Sequence, residues 1–76
     1  MKIEVLGSGC AKCKTLENNV REAVKELAME VEIVKVDDFV EIAKRGVMMT
    51  PALVVDGKVL FSGKVPDIEK LKRMLI

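Results

Sequence analysis

The hydrophobic period of this chain changes at one short stretch, Ser8-Gly9-Cys10-Ala11-Lys12-Cys13, and that change limits the folds open to it. Before the stretch, Lys2 to Leu6 alternates charged and apolar residues, the period of a β-strand, and ends on Gly7. After it, from Ala11 to Ala28, the residues Leu16, Val20, Ala23, Val24 and Leu27 recur along one face of a 3.6-residue period. Glu17, Arg21, Glu22, Lys25 and Glu26 take the opposite face, with Glu17 and Arg21 at the favourable i,i+4 spacing. Val31 to Val36 is rich in β-branched residues and reads as a second strand. Two strands joined by an amphipathic helix predict a right-handed βαβ unit with the strands parallel.

The rest of the chain continues this frame. Asp38 followed three residues later by Glu41 resembles a capping box, opening a short helix that Lys44 and Arg45 suit at its C-terminus and Gly46 stops. Pro51 disfavours helix at Thr50 and forces an extended approach to the apolar run Ala52 to Val55. Asp56-Gly57 then joins that run to Lys58–Phe61 as a hairpin. Between Asp67 and Ile76, the residues Ile68, Leu71 and Leu75 share one face of a last helix. The expected order is β-α-β-α-β-β-α, an α/β fold. A chain of 76 residues has room for one domain, residues 1–76. With Phe39 and Phe61 its only aromatic side chains, aliphatic packing must fill the core.

Charge and hydropathy exclude several classes. Thirteen basic against 12 acidic residues give a net charge of +1, whereas a surface that tracks phosphates is clearly basic, so nucleic acid is not an expected partner. Met1-Lys2-Ile3-Glu4 leads straight into a strand pattern without a secretory apolar segment, and no apolar run approaches membrane-spanning length. The expected location is the cytoplasm, with no membrane partner.

Both cysteines lie at the period change. Thiolate is the reactive form of cysteine, and a free thiol is only slightly ionised at neutral pH. At a helix start, the macrodipole and unpaired N–H groups favour the anion. Cys10 stands where the helix begins, and Cys13, one turn further on, is within reach of a mixed disulfide on Cys10. The pair therefore reads as a nucleophile and a resolver, with Gly9 freeing the turn and Lys12 adding positive potential or simply facing solvent. Gly7 and Gly9 together are read as permitting an unusual backbone turn.

Competing readings are weaker. Closing so short a ring is worth only about 2 kcal/mol by loop entropy, a poor return for a structural disulfide. Buried, inert cysteines are common, but a glycine-flanked strand-to-helix turn favours exposure. With no histidine and no third cysteine, a closed zinc site would need carboxylates or a second chain, so no metal is assigned. Gly7-Ser8-Gly9 lacks the third glycine of a dinucleotide fingerprint and the Gly-Lys-Ser/Thr of a P-loop. A cysteine phosphatase loop would want arginine where Leu16 stands.

Cys10-Ala11-Lys12-Cys13 after the first strand, and Thr50-Pro51 before Ala52-Leu53-Val54-Val55-Asp56-Gly57, resemble the thioredoxin superfamily over nearly the whole chain. The likeness is greatest to its minimal, glutaredoxin-sized members, the small redox-active disulfide proteins. It implies a thioredoxin-like three-layer α/β/α fold with a four-stranded mixed sheet, and a cis Pro51 facing the cysteines. The activity it implies is thiol–disulfide oxidoreduction through a Cys10–Cys13 dithiol/disulfide with no other cofactor, in a monomer. Protein disulfides would be substrates bound along Thr50 and Pro51, and a disulfide reductase would recharge the pair. The chain departs from the common pattern in carrying Gly9 where thioredoxins usually have an aromatic residue, and Ala11-Lys12 in place of Gly-Pro. The glutathione-binding residues of glutaredoxins are echoed only by Ser62-Gly63 and Asp67, and glutathione binding is not carried over. Two alternatives are a non-catalytic thioredoxin-fold interaction module, which an unreactive Cys10 would favour, and a soft-metal carrier of the copper type. Its strand, Gly-rich turn, Cys-x-x-Cys and helix are similar to the first half of this chain, and its thiolates suit Cu(I). That fold, however, runs β-α-β-β-α-β and usually has methionine where Ser8 stands.

Overall fold

The computed structural model describes residues 1–76, with strands β1 (Lys2–Leu6), β2 (Glu32–Val36), β3 (Ala52–Val55) and β4 (Lys58–Ser62) and helices α1 (Ala11–Glu26), α2 (Phe39–Lys44) and α3 (Ile68–Leu75). The element order is the expected one, and its ending on a helix departs from the carrier topology. The strands form one mixed sheet in the order β2-β1-β3-β4. β1 pairs parallel with β2, Lys2 opposite Glu32, and antiparallel with β3, Ile3 opposite Val55. β3 and β4 form a hairpin with a register shift between Leu53 and Val54. Its turn has Asp56 at φ 49° and Gly57 at φ 85°, the two left-handed residues that a tight hairpin matching strand twist requires.

The period-two pattern of the strands sorts residues onto two cores. Ile3 and Val5 of β1, Leu53 of β3 and Phe61 of β4 pack with Leu16, Val20, Ala23 and Val24 of α1 and Leu71 and Leu75 of α3. The intervening residues, Leu6, Val36, Ala52 and Val54, pack on the other face with Ile42 of α2 and Val47. Two helices on one face and one on the other complete an α/β/α sandwich. No helix is long and apolar enough to cross a membrane.

Local chemistry sets most element ends. Asp38 and Asp67 cap α2 and α3, accepting from the backbone N–H of Val40 and of Lys70 at 2.8 Å each. Glu41 does not complete the expected capping box; its carboxylate accepts from Lys44 and Arg45 instead. α1 stops two residues before the expected Ala28. Ala28 takes φ 54°, and its N–H bonds to the Lys25 carbonyl while that of Met29 reaches Val24, so a Schellman motif closes the helix with alanine in place of glycine.

β1 departs from its simple alternation. Because it is a central strand covered on both faces, Glu4 is buried rather than solvated. Arg45, 41 residues away at the end of α2, donates to its carboxylate from Nη2 at 2.6 Å and Nε at 3.2 Å, and to the Glu41 carbonyl from Nη1. This pair fixes the short α2 to the sheet. The Arg45 hydrogen bond is the main cause holding the Glu4 carboxyl below its ordinary pKa, against an opposing effect of burial. A depressed folded-state value means that the pair's stabilisation is complete above the usual glutamate range and is lost as pH falls through the folded-state value. Glu4→Gln should therefore lower unfolding free energy by about 2 kcal/mol at neutral pH. The difference from the parent chain should shrink in acid, as followed by urea unfolding at several pH values.

Candidate active site: the Cys10 and Cys13 thiols

The site is built at the C-terminal end of β1. The Gly7 N–H donates to the Val36 carbonyl at 2.9 Å, extending the parallel ladder by one residue. The chain then turns through Gly9 at φ 83°, a conformation glycine adopts without strain. Cys10 follows as the N-cap of α1, with φ −69° and ψ 169°, and its carbonyl accepts from Lys14 N–H at 3.0 Å. No oxygen side chain caps this helix and no acidic residue occupies its first turn. The anion-favouring end of the helix is thus left to a sulfur.

The two thiols are free, 2.8 Å apart between sulfurs, and unlike in environment. Cys10 is exposed, whereas Cys13 is 6% exposed and continues the buried stripe of Leu16, Val20 and Ala23. The Cys10 thiol is held below its ordinary pKa, first by the hydrogen bond from the Cys13 side chain and then by the backbone N–H groups of Cys13 and Lys12. Burial, followed by the demand to remain a donor to Cys10, pushes Cys13 up. With Cys10 ionised, Cys13 S–H is the donor between them. Lys12 assists through its backbone N–H; its ammonium is not among the causes of the Cys10 shift.

Gly7 has a different part from the one read in the sequence. Its φ is not in the left-handed region, so the turn does not need it. A side chain there would overlap the Cys13 sulfur and come within 3.1 Å of its Cβ, with Thr50 Cβ at 3.9 Å. Glycine is required by close packing against the buried thiol. The type of residue was visible, but its reason lies in a contact across the turn. Thr50 thus reaches the same spot from the other side. The Thr50–Pro51 bond is cis, and Pro51 is fully buried. Pro51 accepts from Gly63 N–H at 2.8 Å, while neither the N–H nor the carbonyl of Thr50 takes part in a backbone hydrogen bond. Gly9, Cys10, Lys12, Cys13, Thr50 and Pro51 come from the turn, the start of α1 and the approach to β3. Lys64, on the loop between β4 and α3, lines a cleft with Ala11 and Lys12 and was not singled out in the sequence. No group of three or more His, Cys, Asp or Glu side chains is arranged to hold a metal ion.

A family model described as a thioredoxin domain matches residues 1–76. The chain belongs to that family. It is 43% identical over 75 residues to a thioredoxin of Methanothermobacter thermautotrophicus, covering 99% of this chain and 97% of that protein. It is 44% identical over 73 residues to a thioredoxin of Methanocaldococcus jannaschii, covering 96% of this chain and 84% of that one. The expected superfamily and fold class are both met, and the chain is a thiol–disulfide oxidoreductase. The soft-metal carrier finds no support in family or topology.

The unequal thiols of this thioredoxin-domain protein make two expectations. In pH-dependent alkylation followed by mass spectrometry, Cys10 should react at neutral pH and below the range of an ordinary thiol, and Cys13 only in strong base or denaturant. Gly7→Ala should destabilise the chain by about 1–3 kcal/mol through overpacking, and should expose Cys13 to alkylation as the helix start is displaced.

Proposed function

We propose that the chain reduces protein disulfides, with Cys10 as the attacking thiolate and Cys13 as the resolving thiol. The observation that carries this reading is the asymmetry at 2.8 Å: an exposed, acidified sulfur beside a buried one held protonated. The Cys10 thiolate attacks one sulfur of the substrate disulfide. The substrate S–S bond breaks, its other sulfur leaves as a thiolate, and a mixed disulfide joins Cys10 to the substrate. Forming that bond removes the negative charge that Cys13 was donating to, so the Cys13 proton is free to pass to the departing thiolate. Cys13 then attacks Cys10 Sγ, the second substrate thiolate leaves, and the pair is left as a disulfide. Two electrons have passed to the substrate, and a disulfide reductase returns them.

On this reading Thr50 offers its unpaired N–H and carbonyl to an extended substrate segment, in the manner of an added strand. Pro51 backs that segment, Gly9 sets the turn, and Lys12 supports the Cys10 thiolate through its N–H. The functional unit is residues 1–76 as one monomeric domain in the cytoplasm, with no cofactor other than the Cys10–Cys13 disulfide and no nucleic-acid partner.

Trapping tests the division of labour. Cys13→Ser should accumulate mixed disulfides with substrate proteins, whereas Cys10→Ser should accumulate none, as read on non-reducing gels and by mass spectrometry. Equal trapping by both variants would overturn the assignment.

A further inference from the structure

Two dissimilar clefts adjoin the turn that carries Cys10, one lined by Ala11 and Lys12 after it and the other by Ser8 before it. On the α1/α3 face of the sheet, a cleft of about 400 Å³ runs between the start of α1 and the loop from β4 to α3, lined by Ala11, Lys12, Thr15, Gly63, Lys64 and Val65. Its only charged side chains are the two lysines, and neither makes a salt bridge with any carboxylate of the chain. The loop that carries Lys64 is held in place. Gly63 N–H bonds to Pro51, Asn19 donates to the Pro66 carbonyl at 3.1 Å, and the Lys64 ammonium lies 6.0 Å over the Phe61 ring.

On the α2 face, a second cleft of about 210 Å³ is walled by Ser8 and Thr50 on the cysteine side and by Phe39, Ile42, Val47 and Met48 beyond them, with Asp37 as its one charged lining residue, of the sign opposite to the lysines of the first cleft. Phe39 is 83% and Met48 96% exposed, so the apolar patch continues past the cleft to the surface. Solvent-facing apolar side chains gathered at a cleft mark an interaction site more often than isolated ones do. Met49, 63% exposed, links the two clefts: its side chain lies against Gly63, where an added Cβ would stand 3.0 Å from its Cε. Consecutive exposed residues thus reach both clefts, Met48 lining the apolar one and Met49 packing on Gly63 of the basic one.

We propose that this surface selects protein disulfides by charge and hydropathy on opposite sides of the reacting cysteine. The substrate is an extended segment whose cysteine carries an apolar side chain toward Phe39 and Met48 and an acidic side chain toward Lys12 and Lys64. The proposal rests on the disulfide-reductase reading above and adds the substrate class to it. Charge complementarity names the occupant of the basic cleft, because two unpaired ammonium groups without a local carboxylate favour an acidic side chain over a neutral or basic one. The exposed phenyl ring and thioether name the occupant of the other, since an apolar side chain seated there removes both from water.

The test uses synthetic peptides with one cysteine, carried as a mixed disulfide with 2-thiopyridine and flanked by apolar and acidic, neutral or basic residues in both orders. The Cys10 thiolate attacks the peptide sulfur and releases pyridine-2-thione, whose absorbance reports the rate. Cys13 then displaces the peptide thiol and leaves the pair oxidised. At low ionic strength, peptides with acidic and apolar flanks in the accepted order should exceed their basic counterparts about fivefold in the second-order rate constant for a single turnover of the reduced protein, the scale of an exposed charge pair. This preference should fade in about 0.5 M salt. Lys64→Glu, which leaves Lys12 facing one carboxylate, should bring the acidic-to-basic ratio to about one, and Phe39→Ser with Met48→Gln should abolish the dependence on the apolar flank. Equal rates across the peptide set, or a ratio indifferent to Lys64→Glu, would overturn the proposal. A neutral small disulfide, bis(2-hydroxyethyl) disulfide, separates the two levels of inference. Its reduction without peptide discrimination sinks only the substrate class, whereas failure to form the Cys10–Cys13 disulfide with it sinks the reductase reading as well.

Discussion

The contact between Gly7 and the Cys13 sulfur joins the end of the first strand to the beginning of the first helix, and the site depends on it. Only a residue without a Cβ leaves room for that sulfur, with the Cβ of Thr50, on the approach to the third strand, 3.9 Å from where one would stand. The contact turns Cys13 inward, into line with the buried stripe of α1, and leaves Cys10 outside at the N-cap. The chemical difference between two otherwise identical side chains starts from this packing constraint.

Burial and hydrogen bonding then act in opposite directions on the pair. Desolvation disfavours a charged Cys13, and a protonated Cys13 is the donor that an ionised Cys10 needs. Each effect reinforces the other, so the negative charge is localised on the exposed sulfur without any nearby ammonium being required. The helix contributes through two specific N–H groups rather than through a diffuse field alone, and these are available because no Ser, Thr or Asp side chain competes for them.

The remainder of the sandwich holds these parts in register. α1 and α3 cover one face with aliphatic side chains, and their contact is reinforced by Lys72, which reaches Glu26 at 2.9 Å. The six-residue α2 offers only Ile42 as a buried side chain from within its own span, too little apolar surface to fix a helix firmly. The Glu4–Arg45 pair supplies the missing attachment, and it positions the Phe39 and Met48 side of the surface relative to Thr50.

Local sequence determined the elements of this protein. The change of period at Ser8 to Cys13, the aspartate caps, the glycine stop at Gly46 and the Asp56-Gly57 hairpin each act over a few residues, so strands and helices were legible within two residues at their ends. The Cys-x-x-Cys spacing and its place at a helix start were legible for the same reason, and Thr50-Pro51 was found through its likeness to a family. Tertiary structure decided what those local signals leave open. Whether Glu4 meets water depends on β1 being central and on an arginine 41 residues away. The need for glycine at position 7 depends on where Cys13 points, and the place of Lys64 beside Lys12 depends on β4 and α3 folding back across the sheet. Periodicity reports which way a residue faces within its own element; which side chain meets it there is fixed only when distant segments pack.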